Sequence, residues 1–187
     1  MSENRAHQEP RDDRLARFQN NPPAEIIDTL LNSIDNYFNN EIRITVGEAN
    51  YQTSLLFLGI HSVALTISEG LFDKSGLDGY KIFLETFVDE GESDLKFSSI
   101  ASLLHDWRNV LAHQWLGSVG HKIGYDYRMD EGWQEREGIT FINPRIYCNQ
   151  YLKAFGQGGK AWNYQNLLSE DELNSAKQRL INKYIKR

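Results

Sequence analysis

The stretch from about Asn50 to Phe72 constrains the fold more than any other. Read at about 100° per residue it is a helix that is apolar almost all round. Leu55, Leu56, Phe57, Leu58, Ile60, Val63, Ala64, Leu65, Ile67 and Leu71 leave little polar surface. A helix of this kind belongs at the centre of a bundle. Its polar exceptions stand out for that reason: Ser54, His61, Ser68 and Glu69 fall within about 100° of one another. A carboxylate near the end of a buried helix is costly without a partner, and Arg108 is the candidate partner. The alternative for Glu69 is exposure near the helix end. His61 reads as a core histidine whose hydrogen bonds are satisfied.

The remaining pattern is mainly helical. Residues 1–21 are polar and charged, with Leu15, Ala16 and Phe18 as local apolar content, and read as a disordered or weakly helical arm. Pro22-Pro23 marks a helix start; Ile26, Ile27, Leu30, Leu31, Ile34, Tyr37 and Phe38 then recur at helical spacing, with the end expected by Gly47. Gly76–Gly79 reads as a turn, Tyr80–Val88 as a short helix, and the acidic 89–94 as a solvated loop without the spacing of a calcium loop. After Gly117 the period changes to alternation. Ile123–Met129 and Ile139–Ile142 read as a β-hairpin with a long loop holding Gly132, Trp133 and Gly138. Arg145–Phe155 is helical again. GQGGK at 156–160 fails as a phosphate loop, since Ala154 and Ala161 stand where Gly and Ser or Thr are needed. Ser169-Glu-Asp-Glu172 is a capping box opening a last helix. The expected architecture is an up-down helical bundle (core 23–117) with a small hairpin insertion (122–143) and C-terminal helices (145–187), a single domain over 22–187.

Ser98–Trp115 has two faces. Ile100, Leu103, Leu104, Trp107, Val110, Leu111 and Trp115 share a broad apolar side; Gln114 interrupts it near the helix end. The opposite stripe holds Ala101, His105, Arg108, Asn109, Ala112 and His113. A merely solvated face would be rich in Lys and Glu. This one carries a guanidinium, an amide and two imidazoles separated by alanines, and is built for close approach by a helix or a polar ligand.

The segment Arg108-Asn109-x-x-x-His113 resembles the motif of the HEPN family, the helical "higher eukaryotes and prokaryotes nucleotide-binding" domains, over roughly 23–117. The resemblance implies a small all-α bundle, often dimeric, and in many members a metal-independent endoribonuclease of toxin–antitoxin or phage-defence type. It implies Glu69 as an orienting group near the motif, and two motif helices paired across a two-fold axis. Arg108 and His113 lie about 140° apart around one helix, so such pairing would gather two Arg and two His in one groove. RNA cleavage without metal needs a base for the 2′-hydroxyl proton, an acid for the leaving 5′ oxygen and positive charge for the developing phosphorane. Histidine titrates near neutrality and serves as either. Arginine supplies fixed charge and forked donors. The roles expected are His113 as general base or acid, Arg108 on the scissile phosphate and Asn109 orienting His113. His105, one turn before Arg108, is either a second acid–base group or, more commonly for such a residue, an interface hydrogen-bond partner. A zinc site from His61, His105 and His113 lacks a close ligand pair of the usual spacing, and neither metal nor cofactor is expected.

Composition limits the partners. The net charge of −6 argues against a nucleic-acid clamp that works through many Lys and Arg, but not against an enzyme gripping one or two phosphates in a local positive pocket. It also leaves an acidic surface for a basic partner. Three readings compete: an endoribonuclease acting on an RNA such as tRNA or mRNA, with an antitoxin or nucleotidyltransferase partner; a non-catalytic dimeric module binding a nucleotide or protein; and a purely structural motif in which Arg108 pairs with Glu69. The single Cys148 excludes an internal disulfide and reads as a small buried residue. With no apolar run of about 18 residues and no apolar N-terminal segment, the chain is expected to be cytoplasmic, with no membrane partner.

Overall fold

The computed structural model describes residues 10–43, 53–89, 96–114, 122–156 and 158–186, less the side chains of Thr53, His113 and Gln114. The protein is mainly helical with a small three-stranded sheet. Helix α1 is Arg11–Asn20, α2 is Pro23–Tyr37, α3 is Thr53–Ile67, α4 is Gly76–Phe83 and α5 is Ala101–Gln114. Strands β1 (Ile123–Tyr125), β2 (Trp133–Arg136) and β3 (Ile139–Ile142) follow, then α6 (Pro144–Phe155) and α7 (Glu170–Leu180). Wide i→i+5 turns prolong α2 to Ile42, α3 to Phe72, α4 to Val88 and α7 to Ile185. The expected continuation of the first long helix to Gly47, and the end of the motif helix at Trp115, lie outside the described residues.

Helix α3 is central, as its apolar circumference requires. It packs on α4, α5 and α6, and Leu56, Ile60, Ala64, Ile67 and Leu71 are buried. Counted as a helix, Ser54–Phe72 is 19 residues with a mean hydropathy of 1.7, long and apolar enough by length and composition to cross a membrane. This corrects the expectation that no stretch reaches that length, because the helix carries its apolar character across interspersed Ser, Thr and His. Half of the segment is buried against neighbouring helices. Its C-terminus is closed by α7: Arg179 donates to the carbonyls of Gly70 at 3.2 Å and Leu71 at 2.8 Å, a cation placed where the helix dipole favours one.

Three sequence expectations change. Of the arm expected to be disordered or weakly helical, residues 11–20 are a packed helix. Phe18 is buried, worth about 1.5–3 kcal/mol, and Lys177 donates to the carbonyls of Gln19 at 2.8 Å and Asn21 at 2.6 Å. Those anchors sit far away in sequence, so the polar composition hid them. Second, 76–79 is the first turn of α4, begun by Gly76 at φ +57°. Third, the hairpin is β2–β3, turned at Glu137-Gly138 with φ of 53° and 75°. Two consecutive positive φ values are what a tight two-residue hairpin turn needs. β1 then pairs parallel to β3 on its other side, Tyr125 opposite Ile142.

The sheet sits beside α5. Thr140 and Ile142 face inward, Trp107 donates its indole N–H to the Tyr125 hydroxyl at 2.7 Å, and Phe57 lies against Tyr125 with ring centroids 5.4 Å apart. Asn143 caps α6 by accepting from the Arg145 and Ile146 amides, while its own amide donates to the Met129 carbonyl at 2.7 Å. The capping box of Ser169 and Glu172 forms as the sequence indicates.

Gly79 sits where close-lying backbone leaves no room for a side chain. A Cβ there would stand 2.5 Å from the Lys74 carbonyl oxygen and 3.2 Å from the Ser68 Cβ, while the Ser68 hydroxyl donates to the Gly79 carbonyl at 2.6 Å. Backbone cannot swing aside as a side-chain tip can. Gly79→Ala is expected to cost about 1–3 kcal/mol, read as a lower urea midpoint at an unchanged slope.

Candidate functional site

The polar stripe of α5 is placed by contacts at both ends. At its start, the Asp89 carboxylate accepts from the Phe97 amide at 2.8 Å and the Ser98 amide at 3.3 Å, capping the short 3₁₀ turn Phe97–Ile100 that leads into the helix. Asp89, expected in a solvated acidic loop, is thus a capping residue. The capped amides are eight and nine positions away, beyond the reach of local capping rules. Lys160 also donates to the Asp89 carbonyl at 2.6 Å. Near the middle, the Trp107–Tyr125 bond fixes the opposite face to the sheet. Trp107, Leu104 and Leu111 are buried, so the stripe with His105, Arg108 and Asn109 is turned away from the core.

Arg108 is half-buried, and its Nη1 donates to the Asn109 Oδ1 at 2.7 Å. Adjacent helical residues point about 100° apart, so this bond folds the guanidinium over towards the direction of Asn109. Among the described residues no carboxylate pairs with Arg108. Glu69, the expected partner, is held instead by Lys183 of the C-terminal turn. The misassignment has a simple cause: Lys183 lies 114 positions away, in a helix whose packing against the end of α3 no local pattern announces. With one lone pair of the Asn109 oxygen engaged by Arg108, its amide N–H₂ and its second lone pair are left for other partners. His113 itself lies in the last turn of α5; its side chain is outside the described residues.

His105 does what its place on the stripe allowed, with a partner the sequence did not pair it with. Its Nδ1 lies 3.1 Å from the Nε2 of His61 on α3. His61 is 3 % exposed and lies against the Tyr80 ring at a centroid distance of 4.0 Å. Below it, the hydroxyls of Tyr80, Tyr147 and Tyr151 bond in series, all three rings fully buried. A continuous line of polar aromatic groups thus runs from the core to the stripe.

The charges follow from this packing. Burial, then His105 and Arg108, push His61 down to about 3, so it is neutral at any physiological pH. Burial and Arg108 also lower His105, against an opposing pull from Asp106. Among the described side chains, the stripe therefore sets the fixed positive charge of Arg108 beside His105, whose pKa is held below the ordinary histidine value. A cation flanked by an amide and a neutral base suits an anion bearing an abstractable proton. Among the described residues no group of three or more His, Cys, Asp or Glu forms a metal cluster.

No family model matches this chain, nor does any curated protein or solved structure.

His61 makes the fold sensitive to acid. Its folded pKa lies below the ordinary histidine value, so the unfolded chain binds the extra proton first. The stability this confers is complete above about pH 6.5 and is lost as pH falls towards about 3. Urea unfolding between pH 4 and pH 7 is expected to show wild type losing stability on acidification. His61→Phe, which has nothing to protonate there, should lose less over the same interval.

Proposed function

We propose that this chain is a metal-independent endoribonuclease of HEPN-like, toxin or phage-defence type, acting as a homodimer in the cytoplasm. The observation that carries the reading is Arg108. In a chain of net charge −6, a half-buried guanidinium is held by a neutral amide, with no carboxylate partner among the described residues. Burying charge without a counter-ion is costly, and the cost is recovered when a phosphate binds. Arg108 then stabilises the phosphorane, His113 moves a proton, and Asn109 keeps the guanidinium in place. The 2′-hydroxyl is the nucleophile, so the products are a 2′,3′-cyclic phosphate and a 5′-hydroxyl. An antitoxin or nucleotidyltransferase partner fits this class of enzyme.

The second reading is a non-catalytic dimeric module that binds a nucleotide or a partner through the same stripe. The acidic balance of the chain favours it, because few phosphates could be gripped at once.

Cleavage of a labelled tRNA pool and a mixed-sequence RNA in EDTA separates the two. Wild type is expected to leave cyclic-phosphate ends, and Arg108→Ala and His113→Ala to lose about 10²–10⁴-fold in rate with unchanged circular dichroism. Binding of RNA or nucleotide without cleavage by clean wild type supports the module instead.

A further inference from the structure

Within one copy, the Arg108–His113 pair supplies one acid–base group where cleavage needs two. Cleavage needs a base and an acid on opposite sides of the phosphate, and each motif helix offers one motif histidine. His105 supplies the other by its position. His105 and His113 lie four residues either side of Asn109, about 6 Å along the helix each way and within about 40° of its direction. Asn109 is therefore the midpoint of one face, and the Arg108 guanidinium is bonded to it at 2.7 Å. A two-fold axis through Asn109, with two copies of α5 crossing antiparallel, sets His105 of one copy opposite His113 of the other, with a guanidinium between them. Within one copy the same two residues are about 12 Å apart along the helix, too far to serve one phosphate.

We propose that His105 is a second acid–base group of this site, acting opposite His113 of a second copy and positioned by the buried His61. The proposal rests on the ribonuclease reading. His61 Nε2 can accept the Nδ1–H of His105, which puts the His105 lone pair on Nε2, the edge of the ring away from the core. When His105 takes a proton there, the imidazolium keeps an acceptor at Nδ1, in the way a third group orients and supports a catalytic histidine. The titratable and charged groups facing His105 are His61 from α3, Tyr80 from α4, and Asp106 and Arg108 from α5. Burial and Arg108 favour its neutral form, which suits the base. His105 Nε2 takes the 2′-hydroxyl proton, the 2′ oxygen bonds to phosphorus, the P–O5′ bond breaks, and protonated His113 gives its proton to the 5′ oxygen.

Complementation between inactive copies tests this. His105→Ala and His113→Ala, each purified alone, are expected to lose about 10²–10⁴-fold in RNA cleavage. Co-expressed in equal amounts, half of the dimers are mixed, and each mixed dimer has one intact His105–His113 site, so activity should return to about a quarter of wild type. His105→Gln replaces His105→Ala should that variant fail to fold. His61→Phe should lower kcat about tenfold and move the acid limb of the kcat/KM profile to lower pH. His61→Gln, which keeps an acceptor, should restore most of the rate. If wild type cleaves and His105→Ala cleaves equally well, the proposal is wrong and the ribonuclease reading stands. Two inactive variants that never complement overturn the cross-copy pairing. If wild type cleaves nothing, both fall together.

Discussion

A histidine buried in an apolar helix has to be answered by a neighbour, and in this chain the answer organises the site. His61 sits in the middle of α3, the helix on which α4, α5 and α6 pack. Leaving a ring nitrogen unpaired there would cost on the order of 1–3 kcal/mol. The bond to His105 removes that cost and sets the rotation of α5 about its own axis, because only one face of α5 can reach His61. Once that face is set, Trp107, Leu104 and Leu111 point inward and Arg108 and Asn109 do not. The outward polar stripe is thus a consequence of satisfying one buried imidazole.

The other restraints on α5 act at a distance from it in sequence. Asp89 caps its lead-in turn, and Tyr125 on β1 holds its far face through Trp107. The small sheet, which looks like a decoration on a helical bundle, is a brace for the helix that carries the polar stripe. The parallel pairing of β1 with β3 brings Tyr125 to that position, and the tight turn at Glu137-Gly138 keeps β2 on the opposite edge.

Most helices were legible because their signals are local: Pro23 at a first turn, the Ser169–Glu172 box, the apolar circumference of 53–72 and the two-faced pattern of α5. The mainly helical architecture with a small β element follows from these. What could not be read depended on long separations. Glu69 finds Lys183 instead of Arg108, α1 is held by Lys177, and Asp89 reaches across an acidic segment. The Glu137-Gly138 turn was local but masked by neighbouring glycines and Trp133, which made a longer loop look equally good. On α5, helical spacing alone places His105, Arg108 and Asn109 on the side opposite the buried Leu104, Trp107 and Leu111. The partnership of His105 with His61, two residues singled out separately, needed the third dimension.

The central proposal is that Arg108, which has no carboxylate partner among the described residues, and the histidines of α5 cleave RNA through its own 2′-hydroxyl. The most direct measurement is a comparison, in EDTA, of two labelled oligonucleotides of one sequence, one all-ribose and one with 2′-deoxy sugars throughout. The account predicts cyclic-phosphate ends from the first and no cleavage of the second. Equal cleavage of both, or cleavage only after a divalent metal is added, would contradict it.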